Sequence, residues 1–177
     1  MIPSYKTTIL ITGKMGIGKT TLIKKVIDEF KINLIGFFTY YKFKGSLKQY
    51  FFHDLITKTI IKIGEKEKNS DLSVDISVFD GFCSDALDRV LNSKENVVVM
   101  DELGRFEENS ESFKSRIFDL IKKKKVLGVI KEYDSPFLNE IRELKNVEVI
   151  NINEDNRDAL LKELLDFIKQ NWKLRER

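Results

Sequence analysis

The segment "GKMGIGKTT", residues 13–21, has the residue types and the spacing of a phosphate-binding loop, G-x-x-x-x-G-K-[ST]. Its glycines allow the backbone to turn until consecutive N–H groups point inward around a phosphate. Lys19 would reach the β and γ phosphates of a nucleoside triphosphate, the Thr20 hydroxyl would bind Mg²⁺, and Thr21 would contact the α phosphate. We therefore predict nucleotide contacts throughout the segment, from Gly13, Lys14, Met15, Gly16, Ile17, Gly18, Lys19, Thr20 and Thr21.

Two neighbouring acids, Asp101 and Glu102, follow an apolar run at 96–100. A carboxylate at the carboxyl end of a buried strand can hold the Mg²⁺ ion shared with Thr20, usually through a coordinated water. Glu102 would lie near the γ phosphate, where it could orient or polarise a water molecule. Because water does not hold its own position, an adjacent glutamate favours hydrolysis over transfer to an acceptor. The alternative for Glu102 is a helix-capping or surface acid.

Arg105 lies three residues after Glu102 and has two interpretations. Its guanidinium could stabilise the negative charge on the transferring phosphoryl group. It could instead form a salt bridge with Glu107 or Glu108, which contributes little to stability if the pair is exposed. Glu107 could also hold Arg105 in position for catalysis. An arginine supplied by the same chain would allow a monomer to act alone.

The elements that must position these residues alternate between strand and helix. Short apolar runs typical of buried strands alternate with segments whose apolar residues have helical spacing. This pattern is typical of an α/β fold, a three-layer sandwich in which helices cover both faces of a mostly parallel sheet, with ligands at the carboxyl ends of the strands. The predicted strands lie at 7–13, 33–43, 96–100, 125–130 and 146–152, and the predicted helices at 20–30, 77–93, 110–124, 135–144 and 156–172.

Residues 36–64 depart from that alternation, because closely spaced strand-like segments favour an added antiparallel hairpin or meander. The polar segment 65–73 is predicted to be a mobile loop. The aromatic residues of this region could offer stacking surfaces to single-stranded nucleic acid. We favour a simpler explanation, in which one face of the strands packs on the core and the other meets solvent.

Length and composition indicate one globular domain spanning residues 1–177, with 42% hydrophobic and 33% charged residues. The apolar runs are too short to span a membrane, and the N-terminal run is too short for a signal peptide, so we expect a cytoplasmic protein without membrane partners. Cys83 is the only cysteine, which excludes an internal disulfide. The basic run at 122–125 ends a predicted helix, and we favour this structural explanation over a nucleic-acid partner.

Four motifs together resemble the THEP1-type P-loop nucleoside-triphosphatases. They are the phosphate loop, "GFFT" at 36–39, "DELGRFE" at 101–107 and "NRD" at 156–158. They occur in the family's order and at compatible spacings over nearly the whole chain. The phosphate loop alone is generic, whereas the acidic motif combined with "GFFT" is specific. Arg105 stands where the family more often has lysine.

The resemblance implies a P-loop NTPase fold and slow, Mg²⁺-dependent hydrolysis of ATP, GTP and other nucleoside triphosphates to diphosphates, with weak base discrimination. It also implies that Gly104 belongs to the nucleotide site and that Asn156 and Arg157 lie near the base. From the residues alone, the segment around Asn156 reads equally well as a loop and helix cap, with Asp155 as the cap.

Two other functions remain open from the sequence. One is a small P-loop kinase that passes the γ phosphate to a nucleoside, a nucleotide or a polynucleotide end. The other is a nucleotide-dependent switch whose hydrolysis times an interaction, suggested by the basic run and the aromatic hairpin. We find no persuasive arginine-bearing lid of the kind that a kinase usually carries.

Overall fold

Eight strands form one mixed sheet in the computed structural model, which describes residues 2–30 and 33–174. Their order across the sheet is β5-β4-β3-β2-β6-β7-β1-β8. The strands are β1 (Thr8–Thr12), β2 (Gly36–Lys44), β3 (Leu47–Asp54), β4 (Ile60–Lys66), β5 (Ser73–Val74), β6 (Val97–Leu103), β7 (Lys125–Ile130) and β8 (Val147–Asn151).

Five adjacent strands, β2, β6, β7, β1 and β8, are parallel and form the half of the sheet that carries the predicted site. Their apolar residues alternate between the two faces, as the pleat of a strand requires. In β1, Ile9 and Ile11 enter one core cluster and Leu10 enters the other. The strand β7 separates β1, which leads into the phosphate loop, from β6, which carries the two acids.

Helices cover both faces of the parallel strands, and the predicted α/β fold class is confirmed. α1 and α6 pack on one face, and α3, α4 and α5 pack on the other. The helices are α1 (Lys19–Glu29), α2 (Ile76–Val78), α3 (Ser84–Asn92), α4 (Glu111–Lys123), α5 (Pro136–Glu143) and α6 (Arg157–Phe167).

Local signals determine where several helices begin and end. Ser135 caps α5, since its hydroxyl accepts the backbone N–H of Leu138, and Pro136 occupies the first helical position. The basic run closes α4 as expected. The Lys124 ammonium donates to the backbone carbonyls of Ser93 and Glu95, so this lysine of the run stabilises the fold.

Three segments differ from the sequence-based expectation. The helices predicted at 77–93 and 156–172 each contain a π-helical turn, at Phe79–Cys83 and Ile168–Trp172, and the first and last residue of each turn are buried. The segment 65–73, predicted as a polar loop, is a loop over 67–72, whereas its first two residues end β4 and Ser73 begins the short strand β5, which pairs with β4 through Gly64 and Glu65.

The antiparallel part of the sheet consists of β3, β4 and β5, and β2 joins it to the parallel part. The rings of Phe37 and Phe52 stack in the core at a centroid distance of 4.9 Å, while Tyr41 and Phe43 are exposed. All four residues lie on the same face of the two strands, so the boundary between core and solvent runs along the strands, and the prediction that it separates their two faces is wrong here. Among the described residues, no helix combines the length and apolar character needed to cross a membrane.

Candidate active site

The phosphate loop joins the end of β1 to the start of α1. Gly13, Gly16 and Gly18 have φ angles of 136°, 83° and 105°, a region that side-chain-bearing residues rarely adopt. The Lys19 ammonium donates to the carbonyl oxygens of Gly13 at 2.6 Å and Lys14 at 2.9 Å. The lysine folds back on its own loop, and binding a phosphate would require it to exchange these carbonyls for phosphate oxygens.

The first turn of α1 presents unpaired backbone N–H groups at the same place. Gly18, in a left-handed conformation, forms the N-cap without a side-chain hydrogen bond, and the first turn contains no acidic residue. These N–H groups and the positive end of the helix dipole favour an anion. Thr21 in this turn is exposed, and Met15 at the tip of the loop is 86% exposed. The loop is therefore open to a ligand from solvent.

Asp101, near the carboxyl end of β6, lies across β7 from the strand that leads into the phosphate loop. Asp101 is 4% exposed, and the Thr20 side chain is near enough to its carboxyl to influence its pKa. Burial raises the pKa of Asp101 to about 6, an effect that Glu102 reinforces and that Thr20, Lys24 and Lys19 partly offset. A buried carboxylate beside a hydroxyl is a donor pair that suits Mg²⁺, which takes oxygen ligands and often only one or two from the protein.

Glu102 lies near the carboxyl end of the same strand. Its backbone N–H donates to the Thr39 hydroxyl at 3.0 Å, and its carboxylate lies 3.7 Å from the Lys131 ammonium. The register between β6 and β7 is irregular between Asp101 and Leu103, so Glu102 is the extra residue of the strand. The sequence-based expectation ended the strand at Met100, whereas the pairing with β7 extends it to Leu103.

Lys131 lies at the candidate site beside Glu102 and was not predicted from the sequence. It follows β7 directly, and its ammonium also lies 5.8 Å from the centroid of the Phe106 ring. Its position in the sequence could have indicated this role. A charged residue that directly follows a buried parallel strand lies at the same edge of the sheet as Asp101.

Arg105 is exposed, and its guanidinium lies 4.4 Å from the centroid of the Tyr133 ring, in cation–π geometry. In the part of the chain that the structure describes, Arg105 forms no ion pair with Glu107 or Glu108, so the salt-bridge interpretation is wrong. A role at the phosphoryl group stays a prediction.

Glu107 is fully buried, and its carboxylate holds the backbone at Gly104 and not the Arg105 side chain. One carboxylate oxygen accepts the Gly104 N–H at 3.0 Å, and the other has no hydrogen-bond partner among residues 2–30 and 33–174. Burial raises the pKa of Glu107 to about 7. The hypothesis that Glu107 fixes Arg105 is therefore wrong, and the Gly104 N–H is engaged within the turn.

The loop between β8 and α6 lies against the phosphate loop. A Cβ atom added to Gly13 would lie 2.5 Å from the carbonyl oxygen of Ile152, and one added to Gly18 would lie 3.8 Å from Cδ of Arg157. This contact brings Arg157 beside the phosphate loop, whereas its charged end is exposed.

Asn156 ties this loop together. Its side-chain oxygen accepts the Asn153 N–H at 2.9 Å, and its side-chain nitrogen donates to the Asn151 carbonyl at 2.8 Å. Asn156, and not the expected Asp155, occupies the N-cap position of α6. Both polar atoms of its side chain are thus used inside the loop.

Comparison with known proteins identifies the family. The sequence model of a family described as NTPase matches residues 8–165. The nucleoside-triphosphatase THEP1 of Thermotoga petrophila is 34% identical, and the alignment covers 92% of this chain and 93% of the relative. The chain belongs to the NTPase family. The expected enzyme class, a nucleoside-triphosphatase of the THEP1 type, is thereby confirmed.

Two solved structures share the fold of this NTPase. The crystal structure of THEP1 from the hyperthermophile Aquifex aeolicus superposes with a TM-score of 0.73 at 24% identity, covering 92% of this chain and 99% of the other. The solution structure of a human cancer-related nucleoside triphosphatase gives a TM-score of 0.70 at 23% identity, with coverages of 92% and 97%. Family membership favours hydrolysis over the kinase alternative.

Proposed function

We propose that this NTPase hydrolyses nucleoside 5′-triphosphates, ATP and GTP among them, to diphosphate and phosphate in a Mg²⁺-dependent reaction with weak base discrimination. The observation that carries the proposal is the proximity of the Thr20 side chain, at the start of α1, to the buried Asp101 carboxyl on β6, whose pKa Thr20 helps to lower. It joins the phosphate loop and the acidic strand end at one point. A metal–triphosphate group needs these two elements at the same place.

Thr20 and Asp101 would hold the metal ion, and their donor oxygens suit it. When bound, Mg²⁺ would neutralise part of the charge on the phosphate oxygens. Lys19 would release the carbonyls of Gly13 and Lys14 and pair with the β and γ phosphates. The N–H groups of the phosphate loop would supply further hydrogen bonds to the same anion.

Glu102 would orient the attacking water and accept its proton. The water oxygen forms a bond to the γ phosphorus while the bond from this phosphorus to the β–γ bridging oxygen breaks, which leaves the nucleoside diphosphate and inorganic phosphate. Lys131, whose ammonium lies 3.7 Å from the Glu102 carboxylate, would contribute positive charge at this edge. Arg105 would have to leave the Tyr133 ring to reach the transferring phosphoryl group.

Weak base discrimination is supported by the loop at 151–157. Arg157 beside the phosphate loop is available to a nucleotide, whereas Asn156 uses both polar side-chain atoms to hold the loop. Reading a base edge with Asn156 would therefore cost hydrogen bonds within the loop. All the proposed catalytic groups come from one chain, which supports action as a monomer. A cytoplasmic location stays a prediction of the sequence.

The test is phosphate release from ATP and from GTP, with Mg²⁺ and with excess chelator. We expect turnover of both nucleotides with Mg²⁺, little without it, and none from Lys19→Ala. A matched control is Lys122→Ala, an exposed lysine at the end of α4, which should keep full activity. Undiminished turnover by Lys19→Ala would contradict the proposal. With γ-labelled ATP and nucleoside or oligonucleotide acceptors, label on an acceptor would instead indicate a kinase.

A further inference from the structure

A row of aromatic rings leads along one face of the β2–β3 hairpin toward the candidate active site. The ring centroids of Phe43 and Tyr41 lie 5.7 Å apart, those of Tyr41 and Tyr50 6.2 Å, and those of Tyr50 and Phe106 4.8 Å. Tyr41 is 45% and Phe43 67% exposed, although large apolar side chains are more often buried. The outer end of the row is therefore open to a ligand.

Lysines accompany these rings. The Lys48 ammonium lies 3.7 Å from the centroid of the Tyr41 ring and 5.1 Å from that of Tyr50. Lys48 is paired across the strands with Phe43 on one side and with Lys66 on the other. Like charges directly opposite each other destabilise a sheet, and an anionic ligand would relieve that repulsion. We call this set of five residues, Tyr41, Phe43, Lys48, Tyr50 and Lys66, the aromatic–lysine face.

The charge of the outer part of the β2–β3 hairpin, which supplies most of this face, is of one sign. The stretch from Thr39 to His53 contains three lysines and no acidic residue. The chain as a whole has a net charge of only +3, with 28 acidic residues, so the basic character of the hairpin is local. A basic, aromatic surface matches the chemistry of a polyanion that carries flat rings.

We propose that the aromatic–lysine face binds single-stranded nucleic acid, with bases stacked on Tyr41 and Phe43 and phosphates paired with Lys48 and Lys66. Stacking on aromatic rings is tolerant of sequence because every base has a flat face, and lysines follow the backbone without reading bases. The strand would lie along the hairpin and approach the acidic segment of β6 through Tyr50 and Phe106.

A nucleic acid fits this face better than an anionic lipid surface does. The rings are distributed along the sheet and are interleaved with lysines, whereas the tip of the hairpin is Lys44, Gly45 and Ser46. Inserting the tip into a bilayer would bury Lys44 before the rings reached the acyl chains. A single strand can instead lie flat over the face.

The test is the fluorescence anisotropy of labelled oligothymidylate and oligouridylate of about 20 nucleotides, titrated with nucleotide-free protein at several salt concentrations. We expect binding that weakens steeply with salt, with a log–log slope of about −0.7 per phosphate contact. Tyr41→Ala/Phe43→Ala should weaken binding at least tenfold, and Lys48→Gln/Lys66→Gln should make the salt slope shallower. Binding of either oligonucleotide supports the proposal, and their relative affinities show whether DNA or RNA is preferred.

The matched control is Lys122→Gln/Lys123→Gln, which removes two charges from the end of α4, just before the amino end of β7, and should change affinity less than twofold. Absence of binding at the lowest salt would overturn the proposal, as would an equal loss in the control or no loss in the aromatic variant. Sedimentation with anionic vesicles that depends on Tyr41 and Phe43 would point to a membrane instead. Because binding is measured without nucleotide, its failure leaves the proposed hydrolysis untouched.

Discussion

The carboxylates at the edge of β6 occupy different environments over a few residues. Asp101 and Glu107 are buried, and burial raises the pKa of the first to about 6 and of the second to about 7. Glu102 lies between them in the chain and is partly exposed. Buried carboxyls need a cation, hydrogen bonds or a proton, while a partly exposed one is free to contact water and substrate. Their roles differ accordingly.

Replacing Glu102 by glutamine tests its role with water. Glu102→Gln keeps the shape of the side chain but cannot accept a proton, so we expect a loss of turnover of at least about 100-fold, the usual contribution of a general base. Nucleotide affinity should change less than about threefold, because the phosphate loop is untouched. The measurements are phosphate release and binding of a fluorescent nucleotide. Glu111→Gln, on the exposed first turn of α4, is the control, and a Glu102→Gln variant with normal turnover would remove Glu102 from the mechanism.

Glu107 should make stability depend on pH. Its pKa is raised from 4.5 in the unfolded chain to about 7 in the folded protein, so its contribution to stability is complete below pH 4.5 and is lost as the pH rises through about 7. The glutamine of Glu107→Gln does not titrate, so this variant should not lose stability as the pH rises through that range. The free energy of unfolding of the variant, minus that of the parent, should therefore rise by up to roughly 3 kcal/mol between low and high pH. Urea denaturation at about pH 5 and about pH 8 measures the difference. A constant difference at both pH values would show that the buried carboxyl stays ionised.

At the scale of elements, the contact between the phosphate loop and the β8–α6 loop determines the shape of the nucleotide site. Gly13 leaves β1 with φ of 136° and passes close to the Ile152 carbonyl. Since β1 and β8 are paired in parallel register up to Thr12 and Asn151, both loops begin at the same edge of the sheet. The position of Arg157 beside Gly18 depends on this close approach.

Gly13→Ala tests that contact. The added Cβ would lie 2.5 Å from the Ile152 carbonyl oxygen and would force the two loops apart. We expect nucleotide affinity to fall at least tenfold and the free energy of unfolding to fall by roughly 1–3 kcal/mol, as for overpacking. Gly81→Ala is the matched control, because a Cβ there meets nothing within 4 Å. Unchanged nucleotide affinity in Gly13→Ala would show that the two loops can separate without loss of the site.

At the scale of the whole molecule, the order of the strands creates the site. β7 lies between β1 and β6, so the ends of three neighbouring strands carry the phosphate loop, Lys131 and the two acids. Helices on both faces bury these strands and hold their ends at one edge. A ligand that bridges the edge should therefore stabilise the entire sheet.

Thermal denaturation with and without nucleotide measures that coupling. A ligand at about 100 times its dissociation constant stabilises the folded state by about 2.7 kcal/mol. For a chain of this size, we expect Mg²⁺ with a slowly hydrolysed triphosphate analogue to raise the Tm by roughly 5–10 °C. Lys19→Ala should show little of this rise. An equal rise in that variant would indicate that the nucleotide binds elsewhere.

Features that depend on neighbours in the chain were predictable from the sequence. The phosphate loop follows from glycine spacing, the Ser135–Pro136 helix start from capping chemistry, and the buried strands from apolar runs. The two π-helical turns were not predicted from the sequence, and buried residues in them contact residues far away in the chain, Phe79 with Phe113 and Trp172 with Lys6. The spacing of residues within a segment does not indicate which distant residues the segment will contact.

The sequence by itself determined the fold class, the phosphate loop and the acidic strand end, because each depends on residue types at short separations. Only the tertiary structure decided which charges meet. It brings Lys131 to Glu102, turns Arg105 toward Tyr133 and buries Glu107 under Gly104. The physical reason is that electrostatic partners are chosen by distance in space, and the order of parallel strands sets those distances between residues far apart in the chain.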